Sequence, residues 1–357
     1  MKDIKMNVAD KLRIVGVSKD KLLIGPKTIY LDINTYCNIN CNYCWIHSPL
    51  LKKPLHKKNL QLQLSDIIKI SEEADRWKAK EIVISGDGEP TLHPQFKEVV
   101  AYLTKQPRKI FLTTNATFNK TLIPTVAKIH HLYITFSAPS QDTYRRIQSP
   151  KNSRLYENVI KNIKVLSRLR DKYKKPYLSL AFIINSTNFK MVNEMLTLGE
   201  QLKINKLNFR IMEPTTDTKK LLLSKQENEK LAKLIDKSSN KRFSFTHNLT
   251  EIKKGIYDHQ HSPYHIKQCF TGWFNLFVDF NKKVGICCHN EKLIIGDLKK
   301  GSLKKIWESK KAQELRLHCK YNFNINKAPF KGECEWCHWY KENQTVYEQV
   351  KNQKDDR

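Results

Sequence analysis

The 357-residue sequence lacks any hydrophobic segment suited to a membrane. No window approaches the run of about eighteen apolar residues that a transmembrane helix needs. The N-terminal segment, which begins MKDIKMNVADKLRIVGVSKD, also lacks the apolar core of a secretory signal peptide. We therefore expect a cytoplasmic protein, in a compartment where thiols stay reduced. The nine cysteines are then expected to be metal ligands or catalytic groups rather than disulfide partners.

Acidic residues are scarce relative to basic ones. Lys and Arg number 64, Asp and Glu number 35, and the formal net charge is +29. Such an excess predicts a polyanionic partner such as nucleic acid. An AT-rich genome, which favours Lys, Asn and Ile codons, would produce the same composition. The composition alone leaves both explanations open.

Short apolar segments rich in β-branched residues alternate with amphipathic segments along most of the chain. Strand–helix alternation of this kind predicts βα units and a parallel sheet. Six units rather than eight predict an open, partial (β/α)6 barrel. The predicted strands are residues 28–34, 81–85, 109–114, 132–137, 178–184 and 206–212. The predicted helices between them are residues 65–78, 95–103, 158–173 and 191–202.

Beyond Lys241 the alternation stops, and a strand-like segment at 274–280 lies among basic turns. Six of the nine cysteines lie in this part of the chain. The predicted fold class is therefore α/β, a partial barrel with a small C-terminal cysteine-rich domain. The predicted parts are an N-terminal extension at 1–26, the barrel at 27–240, the cysteine-rich domain at 241–340, and a frayed tail at 341–357.

Three cysteines, Cys37, Cys41 and Cys44, follow the first predicted strand with C-x3-C-x2-C spacing. A four-iron cluster takes one protein ligand per iron, so three thiolates leave one iron open. An open metal position is where chemistry can occur. The C-terminal ends of barrel strands, where these cysteines lie, form the catalytic face of such folds. A three-ligand zinc site and purely structural thiols are the alternatives.

This motif, with the aromatic Tyr43 just before its third cysteine, resembles that of the radical S-adenosylmethionine (SAM) superfamily. The resemblance implies a [4Fe-4S] cluster with an open iron site and bound SAM. The second strand runs into Gly86-Asp87-Gly88-Glu89-Pro90. This segment resembles the GGEP segment that holds the amino group of the cofactor in this superfamily. Asp87 stands where a glycine is common, and an ordinary Gly/Pro turn is the alternative.

Three further positions are implied by the same resemblance. Ser137 is similar to a sugar-contacting position, and Asn185 to a ribose-contacting one. Arg146 is similar to the basic residue that holds the methionine carboxylate, with Arg145 as its competitor. Each of these residues also fits an ordinary polar loop position.

A second cysteine set has C-x17-C-x46-C-x2-C spacing: Cys269, Cys287, Cys334 and Cys337. Four thiolates can close a tetrahedral zinc site or a fully ligated four-iron cluster, and spacing does not decide between them. The segment from Cys269 to Arg316 and the closing CEWC pair resemble the SPASM domain, or its shorter twitch form. The resemblance implies one auxiliary [4Fe-4S] cluster rather than zinc.

Two cysteines of the C-terminal part, Cys288 and Cys319, fall outside this set. Either one could replace Cys287 as a ligand. One could instead be a hydrogen-atom donor, as in peptide epimerases of the superfamily, or both could be unused buried thiols. No other catalytic residue is predicted.

The resemblance implies that SAM is cleaved to a 5′-deoxyadenosyl radical, which takes hydrogen from a substrate. The resemblance also implies an electron donor such as flavodoxin or ferredoxin. The basic stretches at 50–58 and 161–175, with Tyr43, Trp45 and Trp273 available to stack a base, predict a nucleic acid substrate, either tRNA or hypermodified phage DNA. The alternatives are a maturase of a ribosomal peptide and an aminocyclitol-like small-molecule dehydrogenase. A further alternative is a non-enzymatic zinc protein that binds nucleic acid.

Overall fold

The computed structural model describes residues 7–53, 55–56, 59–148, 154–239, 242–258, 268–334, 337 and 339–355. Within this part of the chain, one ten-stranded sheet forms the centre, in the order β10-β9-β8-β1-β2-β3-β4-β5-β6-β7. The strands are β1 (Thr28–Asp32), β2 (Glu81–Ser85), β3 (Lys109–Thr114), β4 (His131–Thr135), β5 (Tyr177–Ile184), β6 (Lys206–Ile211), β7 (Thr246–His247), β8 (Asn275–Val278), β9 (Lys283–Gly285) and β10 (Ile294–Asp297).

Helices connect successive strands and cover the sheet. In α2, Ile67, Ile70 and Ala74 are buried at helical spacing, so one face of the helix packs on the strands. The helices are α1 (Val8–Ser18), α2 (Leu64–Arg76), α3 (Phe96–Leu103), α4 (Ile123–Val126), α5 (Gln141–Ile147), α6 (Leu155–Tyr173), α7 (Val192–Gln201), α8 (Lys225–Ser239), α9 (Leu249–Asp258), α10 (Thr271–Phe274), α11 (Leu303–Trp307), α12 (Lys310–Tyr321) and α13 (Tyr340–Asp355).

The strands from β1 to β7 are mutually parallel, and their C-terminal ends share one edge. The α/β fold class and the six predicted barrel strands are confirmed. The short strand β7, which pairs with β6 in parallel, was not predicted from the sequence. The boundary expected at 240 and 241 lies outside the described residues, so the domain bounds stay a prediction.

The strand β8 continues the barrel sheet on the other side of β1. Its pairing with β1 is parallel, with Ile29 opposite both Ile82 and Leu276. The antiparallel hairpin of β9 and β10 follows. The C-terminal cysteine-rich segment therefore begins directly beside the strand that leads into the first cysteine motif.

The two ends of the described chain pack together. Ile14 and Val17 of α1 form a small core with Val346 and Val350 of α13 and with the buried Trp273. The frayed tail expected at 341–357 is thus a helix as far as Asp355. Val346 and Val350 are one turn apart, so this otherwise polar segment has an apolar side to bury. No helix in the described ranges has the length and apolarity to cross a membrane.

Candidate active site

The three cysteines of the first motif lie in the loop that leaves β1. Cys41 is buried, and Cys37 and Cys44 are partly exposed. The backbone N–H groups of Ile46 and His47 donate to Cys44 Sγ at 3.4 and 3.2 Å. The loop folds so that two of its peptide N–H groups point toward one sulfur, and Asn115 Nδ2 beyond β3 lies 3.9 Å from Cys37 Sγ.

Burial raises the pKa of all three thiols, that of Cys37 to about 12 and that of Cys41 well above its usual value. Each thiolate would also repel its neighbours in the loop. The three thiols therefore stay protonated and neutral unless a positively charged group binds to their sulfurs. The iron of a cluster supplies such a charge and holds bound thiols in the thiolate form.

The turn after β2 is hydrogen-bonded to the cysteine loop. Gly88 N–H donates to the Asn34 carbonyl at 3.0 Å, and Glu89 N–H donates to the Tyr36 carbonyl at 2.7 Å. A Cβ on Gly88 would lie 2.1 Å from the Tyr36 carbonyl oxygen. Only glycine allows this approach, because any side chain would displace the backbone next to Cys37.

The Glu89 carboxylate is only 2% exposed. It accepts hydrogen bonds from Thr91 N–H and Oγ1 at 3.2 and 2.7 Å, from Thr114 Oγ1 at 2.5 Å and from Asn115 N–H at 2.6 Å. Three of these bonds reach Oε1 and one reaches Oε2, so Oε2 keeps an acceptor position. The expected contact between Glu89 and the amino group of the cofactor stays a prediction. In this structure Glu89 joins the β2 turn to the end of β3, and burial raises its pKa.

Asp87 lies at the centre of a group of acidic side chains. Its carboxylate contacts His56 Nε2 at 2.7 Å, and its carbonyl contacts His47 Nε2 at 2.9 Å. It also hydrogen-bonds to the carboxyl group of Asp32, whose pKa is raised well above its usual value by burial and by the charge of Asp87. Asp32 Oδ1 is buried and has no hydrogen-bond partner among the described residues.

Two more acidic residues, Asp279 just after β8 and Glu291 before β10, approach the same place. Burial raises the pKa of both carboxyl groups, and the charge of Asp87 raises each of them further. Sequence reasoning missed Asp32, Asp279 and Glu291. A signal existed for the first two, because an aspartate at or just beyond the end of a parallel strand lies on the catalytic edge.

The other expected cofactor residues differ in how accessible they are. The Tyr43 hydroxyl bonds to Ser137 Oγ at 2.9 Å, and Ile183 N–H donates to the same Ser137 oxygen at 3.0 Å. Asn185 is fully buried, and its Nδ2 lacks a hydrogen-bond partner within the described ranges. Arg146 is exposed on α5, as is Arg145.

The four thiols of the second cysteine set lie close enough to influence one another's pKa. The thiol of Cys337 has Cys269, Cys287 and Cys334 as electrostatic neighbours. Burial raises the pKa of Cys287 to about 11 and that of Cys334 to about 12. In contrast, a hydrogen bond from Cys319 lowers the pKa of Cys269 to about 7.

The remaining residues proposed for catalysis or stacking differ in their surroundings and in their exposure. The thiol of Cys288 has Cys287 of the second set, Asp32 and Arg210 as electrostatic neighbours, and burial raises its pKa well above the usual value. Trp45 is 39% exposed and stacks on His289 with ring centroids 6.1 Å apart. Trp273 is 1% exposed in the core, so the expectation that it stacks a base is wrong.

Among the described residues, no three His, Cys, Asp or Glu side chains already stand in an arrangement that would hold a metal ion. The fit of iron–sulfur clusters follows instead from the chemistry of the donors. Both sets are thiols, the ligands of such clusters, and N–H groups donate to sulfurs in each set. The unpartnered Asn185 Nδ2 likewise suits a ligand hydroxyl.

Two family descriptions match this chain. The Radical SAM superfamily matches residues 31–198. The iron-sulfur cluster-binding domain called SPASM matches residues 269–338. Together the two ranges contain both cysteine sets.

Two curated proteins are distant relatives. One is the tungsten-containing aldehyde ferredoxin oxidoreductase cofactor-modifying protein of Pyrococcus furiosus, 24% identical over 173 residues. That match covers 47% of this chain and 47% of the relative, so the chain spans about half of that protein. The other is the S-adenosyl-L-methionine-dependent tRNA 4-demethylwyosine synthase of Methanocaldococcus jannaschii, 24% identical over 236 residues, or 57% of this chain and 72% of the relative.

Solved structures share the fold over nearly the whole chain. Streptococcus suis SuiB bound to the precursor peptide SuiA has a TM-score of 0.64 and 13% identity, covering 94% of this chain and 77% of SuiB. The protein anSMEcpe with bound AdoMet has a TM-score of 0.60 and 16% identity, covering 93% of this chain and 96% of that one. At these identities the similarity establishes the fold.

The contact between Gly88 and Tyr36 gives a first prediction. Gly88→Ala should reduce SAM cleavage by about a hundredfold, the scale expected when a reacting group moves by roughly 1 Å. The measurement is 5′-deoxyadenosine formation by anaerobically purified protein under reductant. Gly301→Ala is the matched control, because nothing lies within 4 Å of a Cβ there. Parental cleavage by the Gly88 variant would show that the loop tolerates the displacement.

Proposed function

We propose that this chain, which belongs to the radical SAM superfamily and carries a C-terminal SPASM domain, oxidises a substrate that presents an amine or another positively charged group. It is an enzyme that uses a [4Fe-4S] cluster and SAM. When bound, these groups supply the radical that takes a hydrogen atom from the substrate, and a SPASM cluster supplies an acceptor for the electron then released.

The residues assigned to the two clusters are the two cysteine sets. Cys37, Cys41 and Cys44 would hold the first cluster, leaving one iron for SAM. Cys269, Cys287, Cys334 and Cys337 would hold a single auxiliary cluster. The N–H groups directed at Cys44 and Cys287 would stabilise the thiolates.

The cofactor would lie across the strand ends. The Gly86–Gly88 turn lets backbone approach its methionine part, and Asp87 provides a carboxylate there. Asn185 Nδ2, buried and unpartnered among the described residues, would donate to a ribose hydroxyl. Ser137 and Tyr43 would hold the cysteine loop against the strand ends, because their mutual hydrogen bond joins the two.

The observation that carries the substrate class is the group of acidic side chains at this edge of the sheet. Asp32, Asp87, Asp279 and Glu291 influence one another there. A phosphate would add negative charge where burial and Asp87 already raise the pKa of the neighbouring carboxyl groups. An ammonium or guanidinium group would instead favour their ionised form and pair with it. The excess of basic residues includes side chains on outer helices, such as Lys161 on α6, whose side chain is 73% exposed.

A peptide with a basic side chain is the first candidate substrate. SuiB, which has the same fold, was solved with its precursor peptide. An aminocyclitol-like small molecule would present amines to the same acidic side chains. It therefore belongs to the same proposed class of substrate. A basic substrate of this class, suited to the acidic side chains of the site, is proposed instead of the polyanionic partner that the net charge predicted.

A nucleic acid base is the second candidate. The net charge of +29 and the tRNA-modifying relative at 24% identity favour it. Its phosphates would have to stay on the outer lysines while one base reached the carboxylates. The electron donor, a flavodoxin or ferredoxin, stays a prediction in either case.

The assignment of the first cluster gives a prediction for Cys41→Ala. This variant should lose 5′-deoxyadenosine formation and about half of the iron, because only one of two four-iron clusters depends on Cys41. Iron, sulfide and 5′-deoxyadenosine are measured on anaerobically purified protein. Full cleavage by the variant would overturn the assignment of the three-cysteine loop.

The second set is tested reciprocally by Cys334→Ala. If this set holds a cluster, the iron content should fall by about half while zinc stays absent. The folded state is checked by the circular dichroism of both variants. Unchanged iron with a loss of one zinc per chain would show that this set is a zinc site.

The substrate class is tested by neutralising one carboxylate. Short peptides with a single central Lys, Arg, Gln or Glu are compared as stimulators of 5′-deoxyadenosine formation, and the basic ones should act best. Glu291→Gln should weaken their apparent affinity by about tenfold, the worth of one charge-assisted interaction. Glu314→Gln is the control, since that side chain is 64% exposed on α12.

The nucleic acid candidate predicts the reverse result. Stimulation by tRNA or single-stranded DNA that falls steeply with added salt, with no response to basic peptides, would contradict the proposed substrate class. Equal stimulation by the Lys and Glu peptides would contradict it as well.

A further inference from the structure

Trp45 is an exposed tryptophan directly after the third cysteine of the first motif, and 39% of its surface is accessible to solvent. The other tryptophans that the structure describes are buried or partly buried: Trp77, Trp273, Trp307 and Trp339. Tryptophan has a large apolar ring, and where it stays exposed beside a site it is often a main contact for a bound molecule. The position of this ring relative to the rest of the site is therefore informative.

The indole ring of Trp45 lies between the loops that carry the two cysteine sets. It stacks on His289, two residues beyond Cys287, with ring centroids 6.1 Å apart and 24° between the ring planes. His289 Nδ1 in turn lies 3.6 Å from Glu213 Oε2, just beyond the end of β6. The ring is therefore at the C-terminal edge of the sheet, where a substrate between the two cysteine sets would pass it.

The acidic side chains of the site belong to the same surroundings. His47, two residues after Trp45, contacts the Asp87 carbonyl oxygen through Nε2 at 2.9 Å. Cys288, which precedes the histidine stacked on the indole, has Asp32 as an electrostatic neighbour. A substrate cation that pairs with these acidic side chains would thus lie close to the indole ring.

No Lys or Arg side chain of the described ranges lies over the indole of Trp45; the cations that do cover a ring cover other rings. The buried Trp307 shows the contrasting case, because the guanidinium carbon of Arg316 lies 4.1 Å from its ring centroid. Arg210, near the end of β6, is paired with Glu213 at 3.3 Å. The exposed part of the Trp45 ring is thus left for a cation that comes from a ligand.

We propose that Trp45 forms a cation–π subsite for the positively charged group of the substrate and so helps to select a charged substrate over a neutral one. This inference rests on the proposed function, in which acidic side chains at the strand ends pair with that group. Carboxylates attract a cation over a long distance. The face of an indole adds an attraction that acts within about 6 Å of the ring centroid and grows as the cation loses its water.

A nucleic acid base would use the same ring in a different way. Base stacking on an aromatic side chain does not require a positive charge, because every base has a π face. A phosphate attached to that base would add negative charge beside Asp32 and Asp87, so the site favours a cation. A ligand and its neutral isostere distinguish the two kinds of binding.

The test measures peptide binding by the full-length, reconstituted protein with SAM and without a reductant, so that no turnover occurs. Three labelled peptides of one sequence carry Lys, trimethyllysine or the neutral tert-butyl isostere of trimethyllysine at the centre. Trimethyllysine keeps the positive charge but has no N–H to donate, so its advantage over the isostere reports the attraction of charge alone. Dissociation constants are obtained from fluorescence anisotropy.

Trp45→Leu should weaken binding of the trimethyllysine peptide by about fivefold and change binding of the neutral peptide much less. Trp45→Phe should have a smaller effect, because a phenyl ring attracts cations less strongly than an indole. Tyr173→Leu is the matched control, since it removes another exposed aromatic side chain, 56% accessible at the C-terminal end of α6.

Iron and sulfide are counted in every variant, because Trp45 adjoins a cysteine of the first set. If Trp45→Leu loses iron, tryptophan with one, two or three fluorine atoms is incorporated at position 45 instead. These analogues keep the shape of the ring and withdraw charge from its face, so binding of the trimethyllysine peptide should weaken stepwise with each fluorine.

Equal weakening of the charged and neutral peptides by Trp45→Leu would show a stacking or apolar surface and overturn the proposal. An unchanged affinity for trimethyllysine in the Leu variant, or across the fluorinated series, would overturn it as well. In these cases a preference of the parent protein for the charged peptides still supports the proposed substrate class. Equal binding of charged and neutral peptides by the parent protein would contradict that class together with the subsite.

Discussion

The parallel pairing of β8 with β1 sets the relation between the two cysteine sets. β1 leads directly into the loop of Cys37, Cys41 and Cys44, and β8 follows Cys269 by a few residues. Because the strands are parallel, their C-terminal ends meet at the same edge. The carboxylates that follow them, Asp32 and Asp279, therefore face the same space. Without this pairing the C-terminal domain would be a separate unit with no defined position at the catalytic edge.

Sequence reasoning predicted the local features and missed those that depend on distant pairing. The six barrel strands were readable, because apolar β-branched runs alternate with amphipathic helices. The partnership of β8 with β1 was not, since it joins residues more than two hundred positions apart and leaves no local pattern. The helix at the C-terminal end was missed for the same reason. Val346 and Val350 become buried only because α1 packs against them.

In the site as well, the sequence predicted local motifs but not how charges from distant segments are arranged. Motif spacing divided seven cysteines into two sets, and the sulfurs of each set influence one another's pKa in the structure. The net charge of +29, however, is a sum over the whole surface and has no direction. It predicted a polyanion, although the acidic side chains of Asp32, Asp87, Asp279 and Glu291 are grouped at the strand ends. A count of charges does not show where each charge lies. Lys161 is on an outer helix, whereas Asp32 is buried beside the first cysteine loop.

Burial of the thiols links the two clusters to folding. A buried Cys37 or Cys334, with a pKa of about 12, stays protonated until a metal binds its sulfur. Loading iron must therefore release protons, and the affinity for the clusters must rise with pH. The N–H groups that already point at Cys44 and Cys287 lower the cost of forming thiolates at those positions. The fold thus provides in advance the polar contacts that a cluster needs, while the iron itself provides the charge that makes the buried sulfurs stable.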